Sequence, residues 1–446
     1  MLVRGGTVWG EDGPRRADVR IVGETVAEVG PLAPEPGESV LEAAGSHVLP
    51  GMIDVHVHVD DRIGAYELAD TWATASEVAV RTGLTTLAGF VTQRPGESLT
   101  GAVERCVERV RGRSHCDVTF HLTPTGWPWE WHEVEELIAR GFSTFKLYTT
   151  YREAGLFTDY ARLAEVMERL GPLGARLLVH CEDDAVLAAV DGSRLDPADA
   201  RGHALLRPGT AEVLALRKVV ELAGRTGCPT HVVHVSTADG AALVGEARRR
   251  AKVTCETAPH FLLLTDAALG GPRGHRWLCT PPLRDEANRA RMEGVAVAGA
   301  FDLFATDHCA FTRGDKDARR GDFREVPKGI AGLGALVPLI FELLVGKHRL
   351  PLAELAARLS SNPARLLGLY PRKGSIAVGS DADLVILNPD GPDRPVASSL
   401  ADTHESYPGR TTTLEVRHVL VRGRRVVEDN ALVAPGRPAG RLLAGA

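Results

Sequence analysis

Two imidazoles separated by one residue open the chemistry of this chain. In Asp54-Val55-His56-Val57-His58-Val59-Asp60 the side chains of an extended segment alternate, so Asp54, His56 and His58 share one face. A pair of hydrogen-bonded core histidines gives the same pattern when it stands alone. Further candidates recur at the ends of apolar runs: Lys146, His180, His234, and Asp307 within Ala305-Thr306-Asp307-His308. Imidazole nitrogens and carboxylate oxygens suit zinc, or nickel, cobalt or manganese in competition with it. Four imidazoles and a carboxylate exceed the needs of one ion. Two ions at about 3.5–4 Å would use them all, with a bridging anion and a bridging hydroxide. Lys146 is the candidate for that anion: a buried ammonium facing two dications is implausible, whereas a neutral amine can add carbon dioxide and become a carbamate. The alternative is a lysine that snorkels to solvent or pairs with an acid.

Such a set converges only if the elements carrying it end on one face. Apolar runs at 48–55, 85–91, 117–122, 143–148, 176–180, 230–235, 252–256 and 301–306 read as strands. Amphipathic stretches near 134–140 and 210–224, with apolar residues three and four apart, read as helices between them. Eight strands with interposed helices are what a (β/α)8 TIM barrel requires, and its catalytic groups gather at the C-terminal strand ends. Both chain ends read differently. The runs at 1–3 and 17–22, broken by Gly5-Gly6, Gly10 and Gly13-Pro14, suggest a small antiparallel unit; 375–378, 382–387 and 416–421 suggest short alternating strands. The expected fold is therefore α/β: a barrel of residues 50–372 beside a small β-sandwich built from residues 1–49 and 373–446.

Composition narrows the function classes. Over 446 residues, 52 Lys+Arg against 58 Asp+Glu leave a net charge of −6, and Arg248-Arg249-Arg250 is a short cluster beside helical spacing. That offers no electrostatic case for nucleic acid or an anionic membrane as partner. No apolar run approaches a membrane span, and Met1-Leu2-Val3-Arg4-Gly5-Gly6 lacks the apolar core of a signal peptide, so a cytoplasmic protein is expected. Seven cysteines, none in a Cys-x-x-Cys pair, read as dispersed buried thiols.

Taken together, His56-x-His58, Lys146, His180, His234 and Asp307 resemble the amidohydrolase superfamily, specifically its cyclic-amide hydrolases: dihydropyrimidinase, hydantoinase, allantoinase and dihydroorotase. Gly51-Met52-Ile53-Asp54, His231-Val232-Val233-His234-Val235-Ser236, Thr280-Pro281-Pro282-Leu283-Arg284, Ser361-Asn362-Pro363-Ala364 and Gly379-Ser380-Asp381-Ala382-Asp383-Leu384 carry the resemblance over nearly the whole chain. It implies that His56 and His58 hold one metal and His180 and His234 the other. Lys146, as N6-carboxylysine, would bridge them, and Asp307 would bind the first metal and move the proton. A bridging hydroxide would attack the ring amide of a small cyclic substrate. Tyr151, five residues after Lys146, and Asp60, two after His58, look like the hydantoinase and dihydropyrimidinase branch, with Tyr151 donating to the developing oxyanion. Thr280 and Ala331 fall where relatives hold the ring amide through the main chain.

Other segments point elsewhere. Asp61-Arg62-Ile63-Gly64-Ala65 replaces the family's Pro-Phe-Gly-Gly run, and Ala258-Pro259-His260 looks more like dihydroorotase or allantoinase. Arg62 and His260 are thus candidate contacts to an acidic substrate, and a dihydroorotase- or allantoinase-type activity is the alternative. Deacetylation or isoaspartyl peptide cleavage would be an acyclic variant. A metal-free scaffold of the dihydropyrimidinase-related type is the alternative outside enzymes. Relatives are usually homodimers or homotetramers, and the resemblance implies the same here.

Overall fold

The structure, a computed structural model, describes residues 1–10 and 13–443. Eight parallel strands close into a barrel: Met52–His58, Leu84–Thr92, Asp117–Thr123, Thr144–Tyr148, Arg176–His180, Thr230–Val232, Val253–Thr257, and an eighth in two pieces, Leu303–Phe304 and His308–Cys309. The first piece pairs with strand seven (Glu256 with Leu303) and the second with strand one (His308 with Val57), so the ring closes across the break. The first four strands are buried almost throughout, which is why a strand covered on both faces reads as an unbroken apolar run. Helices Trp131–Ala139 and Gly209–Thr226 lie where the three-and-four spacing predicts them. Strand six is shorter than its apolar run: it ends at Val232, and His234 has left the ladder with φ 38°.

A second, nine-stranded sheet takes strands from both chain ends and forms the β-sandwich domain. His47–Pro50 pairs antiparallel with Leu384–Asn388 (Val385 with Leu49, Ile386 with Val48), stitching the N-terminal strands to the C-terminal ones. Val3, Val19, Val48, Leu384, Ile386 and Leu420 share one core.

Three expectations are corrected. The run 48–55 divides between two sheets at Gly51, where a side chain would place Cβ 2.1 Å from Thr85 Oγ1; only glycine permits that close approach. The N-terminal unit is mixed, because Val40–Glu42 and His47–Pro50 both run parallel to Leu2–Gly10, and that strand passes Gly5-Gly6 with a shift of register instead of stopping. Residues 375–378 are not a strand. Gly374 and Gly379, with φ 74° and 90°, turn the chain at both ends, and Val378 stands 69% exposed.

The barrel and the second sheet are tied by a buried ion network. Lys373 Nζ reaches Asp117 at 2.5 Å, Asp383 at 2.6 Å and Asp381 at 2.9 Å, while Arg422 also pairs with Asp117. All seven cysteines are buried and free. Among the described residues no helix is long and apolar enough to cross a membrane.

Candidate metal centre

Alternation along strand one turns His56 and His58 into the mouth, where both meet the carboxylate of Asp307, which stands in the break of strand eight. His56 Nε2 lies 3.2 Å and His58 Nε2 3.6 Å from Asp307 Oδ1. One ligand atom from each of the three residues falls within 4.8 Å of the others, an arrangement able to hold a metal ion. Phe90 backs the pair, stacked on His58 at 4.6 Å and tilted against His56 at 4.7 Å. Burial alone would raise the Asp307 carboxyl; the imidazoles of His56, His58 and His260 hold it below its ordinary range instead.

His180, at the end of strand five, and His234, two residues past strand six, make a second pair. His180 Nδ1 and His234 Nε2 face each other at 2.9 Å. The two pairs adjoin, since the His56 and His234 ring centroids are 5.4 Å apart and those of His180 and His234 4.6 Å. Lys146 lies among them, fully buried, its Nζ 5.5 Å from the Phe90 ring centroid and 5.1 Å from that of Tyr148. That nitrogen has no hydrogen-bond partner, so the lysine neither snorkels nor pairs with an acid. Burial pushes its pKa down to about 8. An unpaired cation inside a protein is costly, and this amine acts electrostatically on His58, His180 and His234.

Tyr151 follows on the loop after strand four, its ring 5.0 Å from that of His180, with the Arg207 guanidinium 5.1 Å over its face. Burial drives the phenol pKa far up, so it stays a donor. Asp60, Tyr151, His234 and Asp307 are all non-glycine residues at positive φ: 51°, 65°, 38° and 49°. Left-handed backbone in such residues costs on the order of 1–3 kcal/mol each and clusters at functional sites.

The remaining candidates are placed less centrally. Asp60 is engaged by Arg109, whose guanidinium lies 3.6 Å from its carboxylate and also donates to its carbonyl. Arg62 is exposed on a hairpin, Arg62–Ile63 with Tyr66–Glu67, where it donates to the Ala65 carbonyl at 3.4 Å; it makes no ion pair among the described residues. Thr280 Oγ1 bonds His203 Nε2 at 3.0 Å. Ala331 is buried beside the His308 to Ile330 bridge, and His308 Nδ1 accepts from the amides of Gly332 and Leu333 at 3.1 and 3.3 Å, tying that loop to the residue after Asp307. His260 is buried with neither ring nitrogen partnered and interacts electrostatically with Asp307 and His56.

Two carboxylates escaped the sequence reading. Glu256 Oε1 sits 2.5 Å from His56 Nδ1, and Glu182 Oε2 sits 2.7 Å from His180 Nε2. Both are wholly buried acids at or beside a strand end, a signal the spacing analysis did not use.

Comparison with known proteins bears on this arrangement. The amidohydrolase family pattern matches residues 47–426. A D-hydantoinase of Ralstonia pickettii is 32% identical over 459 residues, covering 99% of this chain and 98% of that protein. A dihydropyrimidinase of Arabidopsis thaliana is 31% identical, covering 97% of this chain and 83% of that protein. The crystal structure of dihydropyrimidinase from Brevibacillus agri NCHU1002 superposes with a TM-score of 0.94 at 31% identity, covering 100% of this chain and 99% of that one. Similarity that runs through barrel and sandwich alike, and not through the histidine pairs alone, makes this chain a member of the amidohydrolase family.

Proposed function

We propose that this chain is a cyclic amidohydrolase that opens the ring amide of a dihydropyrimidine or hydantoin at a two-metal centre. The observation that carries the reading is the buried, unpartnered Lys146 Nζ between the two histidine pairs. His56, His58 and Asp307 would hold one ion and His180 and His234 the other, with Lys146 shared. Addition of its neutral amine to carbon dioxide would form an N–C bond as one C=O π bond breaks, release a proton to water and leave an anionic carbamate. Two divalent ions held there, zinc in our reading, would supply an acidified water and a polarised carbonyl.

The chain's own groups do the rest. Asp307, low in pKa and beside both imidazoles, takes the proton that the attacking water loses. It returns that proton to the ring nitrogen as the C–O bond forms and the C–N bond breaks. Tyr151 donates its hydroxyl to the oxyanion. The main chain at Thr280 and Ala331 holds the ring amide, and the loops carrying Asp60, Arg62 and Tyr151 face its substituent. Residues 50–372 form the catalytic unit, flanked by 1–49 and 373–446, in a cytoplasmic homodimer or homotetramer. Light scattering on the purified protein tests the assembly.

The relatives' names support the branch, being a D-hydantoinase and dihydropyrimidinases. His260 supports the second reading, a dihydroorotase- or allantoinase-type enzyme, since its two buried free nitrogens adjoin Asp307. Convergence of all six ligand residues speaks against a metal-free scaffold. The test is ring opening by zinc-loaded protein in bicarbonate buffer across dihydrouracil, substituted hydantoins, allantoin and dihydroorotate. Preference for dihydrouracil or a hydantoin supports the first reading, and preference for dihydroorotate or allantoin replaces it with the second. Silence across the panel with zinc bound overturns both.

A further inference from the structure

An imidazole ligates a metal through one nitrogen, and the partner of its other nitrogen decides which one is free. In each histidine pair one ring has such a partner. His56 Nδ1 lies 2.5 Å from Glu256 Oε1, so Nδ1 carries the proton and Nε2, 3.2 Å from Asp307, is the free donor atom. His180 is reversed: Nε2 lies 2.7 Å from Glu182 Oε2, leaving Nδ1 to face His234. The second ring of that pair has no comparable anchor, since His234 Nδ1 is buried and unpartnered.

Both carboxylates are themselves fixed. Glu256 Oε2 is 3.0 Å from His231 Nε2, whose Nδ1 is 2.8 Å from Thr254 Oγ1, and Oε1 also accepts from the His234 amide at 3.4 Å. Its ion pairs among the described residues are with His56 and His231. Glu182 shares its carboxylate with Arg207, and its carbonyl accepts from Thr149 Oγ1 at 2.9 Å. Burying an acid at each of two strand ends makes sense where each sets the tautomer and basicity of a ring that a cation will draw on.

We propose that Glu256 and Glu182 are positioning residues, one for each ion: Glu256 presents Nε2 of His56 to the first, and Glu182 presents Nδ1 of His180 to the second. This rests on the two-metal reading above, and its test separates the two. Zinc affinity is measured without substrate, by competition with a chromophoric chelator, in the His234→Ala background, which keeps the His56/His58 site, and in the His58→Ala background, which keeps the other. Glu256→Gln weakens the ion retained in His234→Ala by about 10–100-fold and leaves the one retained in His58→Ala unchanged. Glu182→Gln does the converse.

Equal weakening in both backgrounds, as a merely structural role would give, overturns the assignment, and so does no weakening in either. A parent protein that binds no zinc overturns the functional reading, and this one with it. Should the glutamine variants not fold, 15N spectra of the metal-free parent decide: His56 as the Nδ1–H and His180 as the Nε2–H tautomer supports the assignment, and the opposite tautomer at either ring refutes it.

Discussion

Replacing Tyr151 with phenylalanine isolates one hydroxyl. The ring is located by contacts that do not involve that oxygen: His180 at 5.0 Å, Tyr148 at 5.7 Å and the Arg207 guanidinium 5.1 Å over the face. Phenylalanine keeps these, and a cation over its face loses little of an interaction worth about 0.5–2 kcal/mol. What disappears is a buried donor whose ionisation burial has pushed far above neutral pH, so it is protonated wherever the enzyme is assayed. Loss of one oxyanion donor costs about 2.7–4 kcal/mol of transition-state stabilisation, or about 10²–10³ in kcat. The donor strengthens only as charge develops on the carbonyl oxygen, so KM changes far less than kcat. The assay is the fall in ultraviolet absorbance as dihydrouracil or a 5-substituted hydantoin opens, with zinc content and thermal midpoint measured on the same preparation. A kcat equal to that of the parent, with zinc retained, would refute the oxyanion role and leave Tyr151 a packing residue.

The other predictions use separate parts of the molecule. Asp307→Asn keeps an oxygen near His56 and His58 but cannot carry the proton, so zinc should stay largely bound while kcat falls by about 10²–10⁴; near-full activity would sink the assignment. Lys146→Gln cannot form a carbamate, so elemental analysis should find less zinc than in the parent and bicarbonate should no longer matter; full zinc content would count against a bridging role. Lys373→Met leaves Asp117 its Arg422 and Asp381 its Arg372 but leaves buried Asp383 with no ion pair among the described residues. Breaking a buried pair this way costs about 3–5 kcal/mol, read as a lower urea midpoint. At Glu293, burial would raise the carboxyl, but Lys347, His348 and Arg289 hold it down to about 2 against an ordinary 4.5. A carboxyl lowered on folding stabilises above its unfolded pKa and loses that contribution as pH falls from 4.5 towards 2; Glu293→Gln should flatten the acid limb of stability against pH, and an unchanged limb would refute it.

What the sequence disclosed follows the range over which each feature is decided. Strands buried on both faces declare themselves as local apolar runs, and the metal-site candidates sit at or just beyond their ends, so both were legible. The split of 48–55 at Gly51 was not, because it depends on Thr85 approaching from the next strand. The run 375–378 alternates like a strand, yet flanking glycines at positive φ make it a loop, and Gly379 and Ser380 just beyond it bond to Val26. Glu256 and His56 are 200 residues apart in sequence, and nothing local to either announces the pairing. The sequence offers Asp60 as a substrate contact, but its pairing with Arg109, 49 residues on, has no local signal.

The same accounting bears on substrate charge. A ring bearing a carboxylate, such as dihydroorotate, needs a cation at the mouth that is not already neutralised. Arg109 is committed to Asp60 and Arg207 to Glu182, the latter pair wholly or largely buried. Arg62 makes no ion pair among the described residues, but it lies on an exposed hairpin, where a charge pair is worth only about 0–1 kcal/mol. That is at most about a fivefold gain in kcat/KM, by the factor of ten that each 1.4 kcal/mol carries. Neutral rings should therefore be preferred, and kcat/KM for dihydrouracil should exceed that for dihydroorotate. A higher kcat/KM for dihydroorotate would mean that His260, buried with both ring nitrogens unpartnered, meets the carboxylate.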